Sequence, residues 1–529
     1  MTASESGTIA VLAEKPSVAR DIARVLGADK RGTGYLQGNG YVVTWAIGHL
    51  VSLAEPHQIN PLWRQWRLES LPILPDQWPL VVYERSKEQF EVVQKILMSP
   101  RVSSIVCATD AGREGELIFR YIYEAAKSKK PFSRLWISSL TPDAIRKGFL
   151  SLRPGSDYDR LADAACGRSR ADWLVGMNLS RAYSIVYNEE LSVGRVQTPT
   201  LAMIVERELA LRSFVPEDYL HVVASFQATQ AEQPYEGTWF RPEIKGNESS
   251  RLAADGEEAE QIMARARAGQ AAIESLTAET VRTPPPLLYD LTELQRHANR
   301  LYGFSAQKTL DVAQALYEQH KLISYPRTDS RHLSTDVAAT LPRIVGVISG
   351  RYQEHLAPGT GERALGKRYV DDNKVSDHHA IIPTAVVMQP DRLSDEESKV
   401  YDLICRRLLM LWHAEHLQEV TMVITAIRTA TEPTVDRYRA TGTVVRQMGW
   451  KVLDPGADAR RRDPKKEGEA DQALPATLAE GQSQNVIKIE AQKKKTRPPQ
   501  RFNDATILTA METAGKSLDE KEQIGRAHV

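Results

Sequence analysis

The sequence has 529 residues, which exceeds one ordinary domain and predicts several domains with hydrophobic cores of their own. Its 68 basic and 68 acidic residues balance, which argues against a basic tail and means that any surface for nucleic acid is local. Cys107, Cys166 and Cys405 are too scattered for a disulfide framework or a paired metal motif, and no stretch reaches membrane-spanning length. These features favour a cytoplasmic protein that does not enter a membrane.

The first 153 residues alternate apolar runs with helical patterns, which predicts an α/β domain. Strands are predicted at residues 8–13, 40–47, 103–109 and 134–137, and a helix at 141–150. Glu14 and Asp110 directly follow two of these strands, and Glu114 lies in the next turn. Because the carboxyl ends of parallel strands meet at the ligand-binding edge of an open sheet, we expect the three carboxylates to converge on Mg²⁺. The alternative is that they complement helix dipoles.

A helical region at 158–187 carries Arg168, Asp172 and Arg181 among apolar residues. Its basic side chains can line a path for phosphates, or each can be a solvated helix charge. The next helix runs to residue 212, and a short segment precedes it: Ser192, Val193, Gly194, Arg195, Val196 and Gln197. A glycine, an arginine and a glutamine before a helix N-terminus predict a cradle for backbone phosphates.

Residues 216–281 have the pattern of strands with charged turns, and a proline run at 283–286 precedes a helical block at 290–319. That block leads to Tyr325, Pro326 and Arg327. Pro326 favours an extended Tyr325, which places Arg327 on the same side as the phenol. Since a phenol has a pKa of about 10, Tyr325 needs a nearby cation to attack a phosphodiester, and the guanidinium meets that need. The plainer alternative is a loop tyrosine packed on a proline.

His378 and His379 follow, either as metal or phosphate contacts or as hydrogen-bonded structural residues. Residues 361–367 match a nucleotide-binding P-loop only superficially, because Arg368 replaces the required Ser or Thr and no strand precedes them. No ATP site is therefore expected. A helix at 401–413 and alternating strands to residue 489 complete the pattern, with a solvated charged loop at 460–469.

Seven motifs together resemble the type IA DNA topoisomerases, and the bacterial topoisomerase III group most closely. They are LAEKPSVA (12–19), ATDAGREGE (108–116), LWIS (135–138), DWLVG (172–176), SVGRVQTPT (192–200), YPRTDS (325–330) and DHHAIIPT (377–384). The resemblance covers residues 8–516 and implies a multidomain fold of α/β, α and β parts. A toprim α/β domain, a helical gate domain with the tyrosine and a β-rich arch would form a toroid around a central hole. The implied segments are toprim 1–153, helical DNA-binding 154–215, arch 216–282, gate 283–398, second arch 399–495 and returning helical 496–529.

The resemblance also implies the chemistry. Tyr325 attacks one DNA strand and becomes linked to its 5′-phosphate, Arg327 and Lys15 stabilise phosphate charge, and Glu14 handles the leaving 3′-oxygen. Glu14, Asp110 and Glu114 bind Mg²⁺, and the covalent link removes the need for ATP. Contacts with DNA are implied for Arg67, Arg168, Asp172, Arg181, residues 192–197, His378 and His379.

On this resemblance we expect a monomer that acts on single-stranded or negatively supercoiled DNA, relaxing supercoils or unlinking catenated DNA. Two alternatives stay open. The first is a fragment that binds single-stranded DNA without turnover. The second is a toprim metal site alone, as in primases or nucleases, which leaves Tyr325 without a role.

The sequence departs from the family pattern at two places. Gly112 stands where many members carry a second aspartate, which indicates a metal site that has fewer acidic ligands and binds one ion. The family also continues beyond Lys516, whereas residues 524–529 match one reading frame of a sequencing adapter. We therefore expect the chain as given to be truncated.

Overall fold

The computed structural model describes five stretches of the chain. They are residues 7–229, 233–375, 378–430, 432–456 and 472–514. The charged loop expected at 460–469 and the chain end from residue 515 onward lie outside the described residues. Among the helices of the described stretches, none combines the length and apolar character needed to span a bilayer. The three cysteines are free thiols.

The first part of the chain forms an α/β unit. Its strands are β1 (Thr8–Ala13), β2 (Lys30–Gly32), β3 (Tyr35–Gly38), β4 (Tyr41–Trp45), β5 (Val51–Leu53), β6 (Leu80–Val82), β7 (Val102–Ala108), β8 (Phe132–Arg134) and β9 (Arg153–Pro154). Its helices are α1 (Pro16–Leu26), α2 (Pro56–Ile59), α3 (Lys87–Met98), α4 (Arg113–Ala125) and α5 (Pro142–Leu150). Seven strands form one sheet in the order β2-β3-β4-β1-β7-β8-β9, in which β1 runs parallel to both β4 and β7. Alternate residues of β1 enter separate hydrophobic clusters on the two faces, which explains its continuous apolar sequence.

The strand predicted at 134–137 lies too late in the sequence. β8 ends at Arg134, although the Leu135 backbone N–H still donates to the Cys107 carbonyl oxygen at 2.9 Å. The chain then leaves the sheet, and Ser138 bonds to a distant loop through its backbone carbonyl. The apolar pattern at this point therefore serves tertiary contacts and not a strand.

Two long helices follow the α/β unit. They are α6 (Asp159–Tyr187) and α7 (Gln197–Arg212), close to the predicted limits. α6 packs on α4, and the indole N–H of Trp173 donates to the Ala54 carbonyl oxygen at 3.0 Å. α7 buries none of its residues within the described part of the chain.

A second seven-stranded sheet joins two distant stretches of sequence. Its strands are β10 (Asp218–Gln227), β11 (Tyr235–Trp239), β12 (Leu252–Ala253), β13 (Gln270–Thr283), β14 (His416–Arg428), β15 (Val435–Gln447) and β16 (Ser483–Lys495). Their order is β11-β15-β14-β13-β16-β10-β12, and α8 (Glu257–Ala268) packs on the sheet. The two segments expected as an arch thus share one sheet.

The remaining helices surround the Tyr325 loop. They are α9 (Leu291–Tyr302), α10 (Ala306–Glu318), α11 (Thr335–Ala338), α12 (Leu341–Ile348), α13 (Asp395–Leu409) and α14 (Asp504–Thr513). α9 and α10 begin where the side chains of Asp290 and Ser305 accept hydrogen bonds from the first turn. The segment boundary expected at residue 399 falls inside α13, which packs against α10. One hydrophobic cluster continues from Val11 to Leu316 and Tyr325, so these helices sit directly on the α/β unit.

Candidate active site

Glu14 and Asp110 meet at the carboxyl edge of the first sheet. Glu14 directly follows β1, and Asp110 lies two residues after the neighbouring parallel strand β7. The Asp110 backbone N–H donates to Glu14 Oε2 at 3.1 Å. The two strands therefore bring these carboxylates together, as the order of strands and acids in the sequence predicts.

A tight turn between β7 and α4 holds Asp110 in place. A Cβ atom at Gly115 would lie 2.0 Å from the Asp110 carbonyl oxygen, so only glycine fits there. The Thr109 hydroxyl donates to the Gly115 carbonyl oxygen at 2.7 Å and closes the turn. The glycine spacing of this motif is thus a requirement of backbone packing.

A fully buried arginine supports the same turn. Arg134 donates to the carbonyl oxygens of Thr109 at 2.7 Å and Asp110 at 2.6 Å. Its Nε atom lies 3.1 Å from Glu116 Oε2, and neither side chain is exposed. Carbonyls at a buried strand end need donors, so the position of Asp110 depends on Arg134.

Tyr325 lies against the acidic edge of the sheet. Its hydroxyl donates to Asp110 Oδ2 at 3.1 Å across 215 positions of sequence, and its backbone N–H donates to the Ser138 carbonyl oxygen at 2.8 Å. The rings of Tyr317 and His378 pack on the phenol, with centroids 5.4 and 4.3 Å away. The structure thus places the predicted nucleophile beside Asp110.

Burial sets the protonation of this group of side chains. It raises the pKa of the Glu14 carboxyl, and the charge of Asp110 raises that pKa further. Burial likewise raises the pKa of Asp110. It also raises the pKa of Tyr325 well above the ordinary value, with both carboxylates adding to the effect and Arg327 opposing it. The site therefore favours a protonated phenol and a carboxyl that retains a proton near neutral pH.

Glu14 and Asp110 suit a divalent cation, whereas Glu114 is held elsewhere. Glu114 Oε1 lies 2.5 Å from His49 Nε2, and this hydrogen bond lowers the pKa of Glu114. Among the described residues, no three His, Cys, Asp or Glu side chains are grouped as metal ligands, so the expected trio is not assembled. Two adjacent buried carboxylates nevertheless favour a positive charge, and Mg²⁺ commonly takes one or two carboxylates together with substrate phosphates.

Two cations flank the tyrosine. Arg327 is exposed, and its side chain has no hydrogen bond or ion pair with another described residue. Lys15 Nζ lies 2.6 Å from Glu318 Oε1 on α10. Tyr325 is buried while Arg327 faces solvent, because the chain bends at Ser324 and Pro326. The prediction that Tyr325 and Arg327 share one side of an extended segment was therefore wrong, although the charge of Arg327 still acts on the phenol.

Residues from α6 and the segment before α7 form one polar surface. Arg195 Nη1 lies 2.9 Å from Asp172 Oδ1, and Arg168 Nε lies 3.9 Å from Asp172 Oδ2. The charge of Arg168 also helps to lower the pKa of Glu114, which connects this surface with the acidic motif. Three of the predicted DNA contacts thus lie together, close to the carboxylates.

The segment before α7 is less open than a phosphate cradle requires. The backbone N–H groups of Val193 and Gly194 already donate to Ser180 Oγ at 2.9 Å and Thr198 Oγ1 at 3.1 Å. Side chains remain available. Gln197 donates to Ser192 Oγ at 2.9 Å on an exposed surface, and Val196 is the partly exposed cap of α7. The side chains of Arg195 and Gln197 are therefore better placed to contact a phosphate than the backbone N–H groups of residues 193 and 194, and the phosphate cradle stays a prediction.

Arg181 is a structural residue and does not line a DNA path. It is buried, donates to the Trp63 carbonyl oxygen at 2.7 Å and places its guanidinium 5.3 Å from the centre of the Trp66 ring. It thereby fastens α6 to the stretch that carries Trp63 and Trp66, Trp63 lying 118 positions earlier in the sequence. Arg67, in contrast, is exposed beside Trp66.

The two histidines do not act as a pair. His378 packs on Tyr325 with its ring tilted by 35°, and its Nδ1 lies 3.1 Å from Ser138 Oγ, while burial lowers the pKa of His378 to about 3. His379 is buried and bonds to the Ala380 carbonyl oxygen at 2.7 Å. The support of a phosphate by His379 stays a prediction, since one nitrogen of its buried ring is bonded to the backbone.

Three residues of the site were not singled out from the sequence. His49 binds Glu114, Ser138 anchors the Tyr325 backbone, and Glu318 binds Lys15. Ser138 ends one of the seven motifs, which was a usable signal. His49 and Glu318 lie outside every motif, so only the folded chain reveals them.

Comparison with known proteins assigns the family. The family model of the Toprim domain matches residues 9–140, and the model of the DNA topoisomerase family matches residues 156–527. The chain belongs to the type IA DNA topoisomerases. A Toprim domain binds metal, which agrees with the carboxylate pair at the edge of the first sheet.

Individual relatives agree with this assignment. A DNA topoisomerase 3 from Shouchella clausii is 42% identical over 517 residues, covering 97% of this chain and 68% of that protein. A DNA topoisomerase 3 from Bacillus subtilis is 43% identical over 516 residues, with the same two coverages. The solved full-length topoisomerase I from Thermotoga maritima aligns with a TM-score of 0.65 over 96% of this chain and 75% of that one, at 22% identity, and shows the fold. The chain is thus a topoisomerase, a type I isomerase that acts on DNA.

Proposed function

We propose that Tyr325 cleaves one DNA strand through a 5′-phosphotyrosine intermediate and that the topoisomerase passes a strand before it rejoins the break. The observation that carries this proposal is the hydrogen bond from the Tyr325 hydroxyl to Asp110, at 3.1 Å, beside Glu14. It supports Tyr325 as the nucleophile, Asp110 as the proton acceptor and Glu14 as the proton donor, because the three side chains are linked by these contacts.

In the proposed step Tyr325 Oη forms a bond to phosphorus, the bond from phosphorus to the 3′-oxygen breaks, and the phenolic proton passes to Asp110. The leaving 3′-oxygen takes a proton from Glu14, whose raised pKa lets it carry one near neutral pH. Rejoining reverses both transfers. Because the phosphotyrosine retains the energy of the phosphodiester, the cycle needs no ATP.

Positive charge around the phosphate is assigned to three groups. Glu14 and Asp110, one of which is ionised at each stage of the proton transfer, would together hold Mg²⁺, which when bound supplies charge beside the scissile phosphate. Arg327 has no competing partner among the described residues and is free to bind the phosphate. Lys15 lies next to Glu14 and adds a further charge once a phosphate competes with Glu318.

Arg168, Asp172, Arg195 and Gln197 are proposed to guide the strand to this site, with Arg67 as an outer contact. We retain the toprim, helical, arch and gate segments as proposed domains, but start the second arch at β14, because α13 packs with the gate helices. We propose a cytoplasmic monomer that relaxes negative supercoils or decatenates DNA.

The test is a covalent adduct. End-labelled single-stranded DNA is incubated with the protein and Mg²⁺, and the reaction is stopped with denaturant. Tyr325→Phe should abolish the adduct, whereas the matched variant Tyr317→Phe, which loses a neighbouring buried hydroxyl, should retain it. An adduct in Tyr325→Phe would refute the proposal. Binding by the wild type without any adduct would favour a fragment that binds DNA without turnover.

A further inference from the structure

The amino edge of the first sheet carries a groove that the cleavage chemistry does not use. Because β1, β4 and β7 are parallel, their first residues Thr8, Tyr41 and Val102 line the edge opposite to Glu14 and Asp110. The groove has a volume of about 570 Å³. Strands of this length separate the two edges by about 20 Å.

The charged part of the groove lining has one sign. Lys30 from β2, Lys95 from α3 and Arg101 before β7 contribute exposed side chains. None of the described residues that line the groove is acidic, and within the described chain none of these three cations has an ion pair or a side-chain hydrogen bond. In a protein with balanced charges, this is a local basic feature that net charge does not reveal.

An aromatic ring lies beside these cations. Tyr35 lines the groove and is half-buried. Its ring packs over Gly32, where a Cβ atom would come within 2.3 Å of it. The Tyr41 ring, in contrast, lies on the other face of the sheet, where it meets Phe149. A fixed aromatic ring next to unpaired cations is the combination that binds single-stranded nucleic acid, through base stacking and phosphate neutralisation.

We propose that this groove is a second binding site for single-stranded DNA, separate from the cleavage site. Lys30, Lys95 and Arg101 would bind phosphates of the strand, and Tyr35 would stack on a base. The inference rests on DNA as the substrate and adds a contact on the far edge of the α/β unit. A free nucleotide also has a base and a phosphate, but its negative charge lies at one end. Three separate cations therefore favour a strand, which carries several phosphates along its length.

The first test removes the three charges. Lys30→Gln, Lys95→Gln and Arg101→Gln are combined, and the matched control combines Arg85→Gln, Lys87→Gln and Lys129→Gln, three exposed cations of the same unit. Both sets are made in the Tyr325→Phe protein, so that DNA is bound but not cleaved. Each phosphate contact contributes about 0.7 to the slope of log affinity against log salt for single strands, so the groove variant should lose about 2 from that slope. The control should lose none, and equal slopes for the two variants would overturn the proposal.

The second test needs no change in the groove and therefore cannot fail through misfolding. The Tyr325→Phe protein is acylated with an amine-reactive reagent, with and without single-stranded DNA. DNA should protect Lys30 and Lys95 but not Lys87 or Lys129. Equal modification of all four lysines would overturn the proposal, and equal protection by a nucleoside monophosphate would assign the groove to a nucleotide instead of a strand. Adduct formation by the wild type reports on Tyr325 separately, so failure of either proposal is distinguishable from failure of the other.

Discussion

Replacing Arg134 with methionine is expected to destabilise the turn that holds Asp110. Methionine fills similar space but removes the ion pair with Glu116 and the hydrogen bonds to four carbonyl oxygens, at 2.6 to 3.2 Å. Breaking a buried pair costs about 3–5 kcal/mol. Arg120 remains 2.8 Å from Glu116, so we expect the lower end, about 3 kcal/mol. For a unit of roughly 150 residues this corresponds to a fall in melting temperature of about 6–12 °C.

The assay combines thermal unfolding of the full chain, hydrogen exchange in β7 and adduct formation with labelled DNA. The control is Arg146→Met, which removes an arginine from a pair with Asp143 at 3.1 Å in which both side chains are more than half exposed. Exposed pairs contribute little, so this variant should change stability by less than about 1 kcal/mol. The reasoning about the buried pair would be refuted if Arg134→Met had the same melting temperature as the control, kept the hydrogen-exchange protection of β7 and still formed the DNA adduct.

Three further predictions follow from individual contacts. Because burial holds the pKa of His378 at about 3 instead of 6.5, the unfolded chain binds more protons between these pH values, so packing around Tyr325 should weaken as pH falls from 6.5 toward 3. His378→Phe should remove that part of the acid sensitivity in hydrogen exchange, and an unchanged profile would contradict the burial argument. Arg327→Ala should slow adduct formation about 100-fold at an unchanged melting temperature, and a rate within twofold of wild type would exclude a role at the phosphate. Asp436→Asn leaves Arg265, 2.7 Å away, with only the more distant and more exposed Glu432 at 4.0 Å, and should lower stability by about 3 kcal/mol in urea, whereas an unshifted midpoint would show that the pair contributes nothing.

The frame of the site was predictable from local sequence. A continuous apolar run predicts β1, and the acids that follow β1 and β7 meet because parallel strands end at one edge of a sheet. The N-cap Thr141 and the proline after it place the start of α5 correctly. These features depend on neighbours in sequence or on general rules of sheet topology.

The side-chain partners were not predictable in the same way. The orientation of Glu114 depends on His49, 65 positions away. Arg181 can be buried because a backbone carbonyl of a distant loop accepts its hydrogen bond and a tryptophan ring packs on its guanidinium. A charged residue on a helix gives no local sign of such a partner. The bends at Ser324 and Pro326 likewise follow from contacts with the loop after His378 and not from the proline alone.

The most direct measurement of the central claim is the position of the covalent link. Single-stranded DNA labelled at its 3′ end is allowed to react with the wild-type protein, the adduct is digested with a protease, and the labelled peptide is sequenced by mass spectrometry. The account predicts that the label stays with the peptide that contains Tyr325, joined through a 5′-phosphate to its hydroxyl. A link at any other residue, or retention of the label only when the DNA carries it at the 5′ end, would contradict the account.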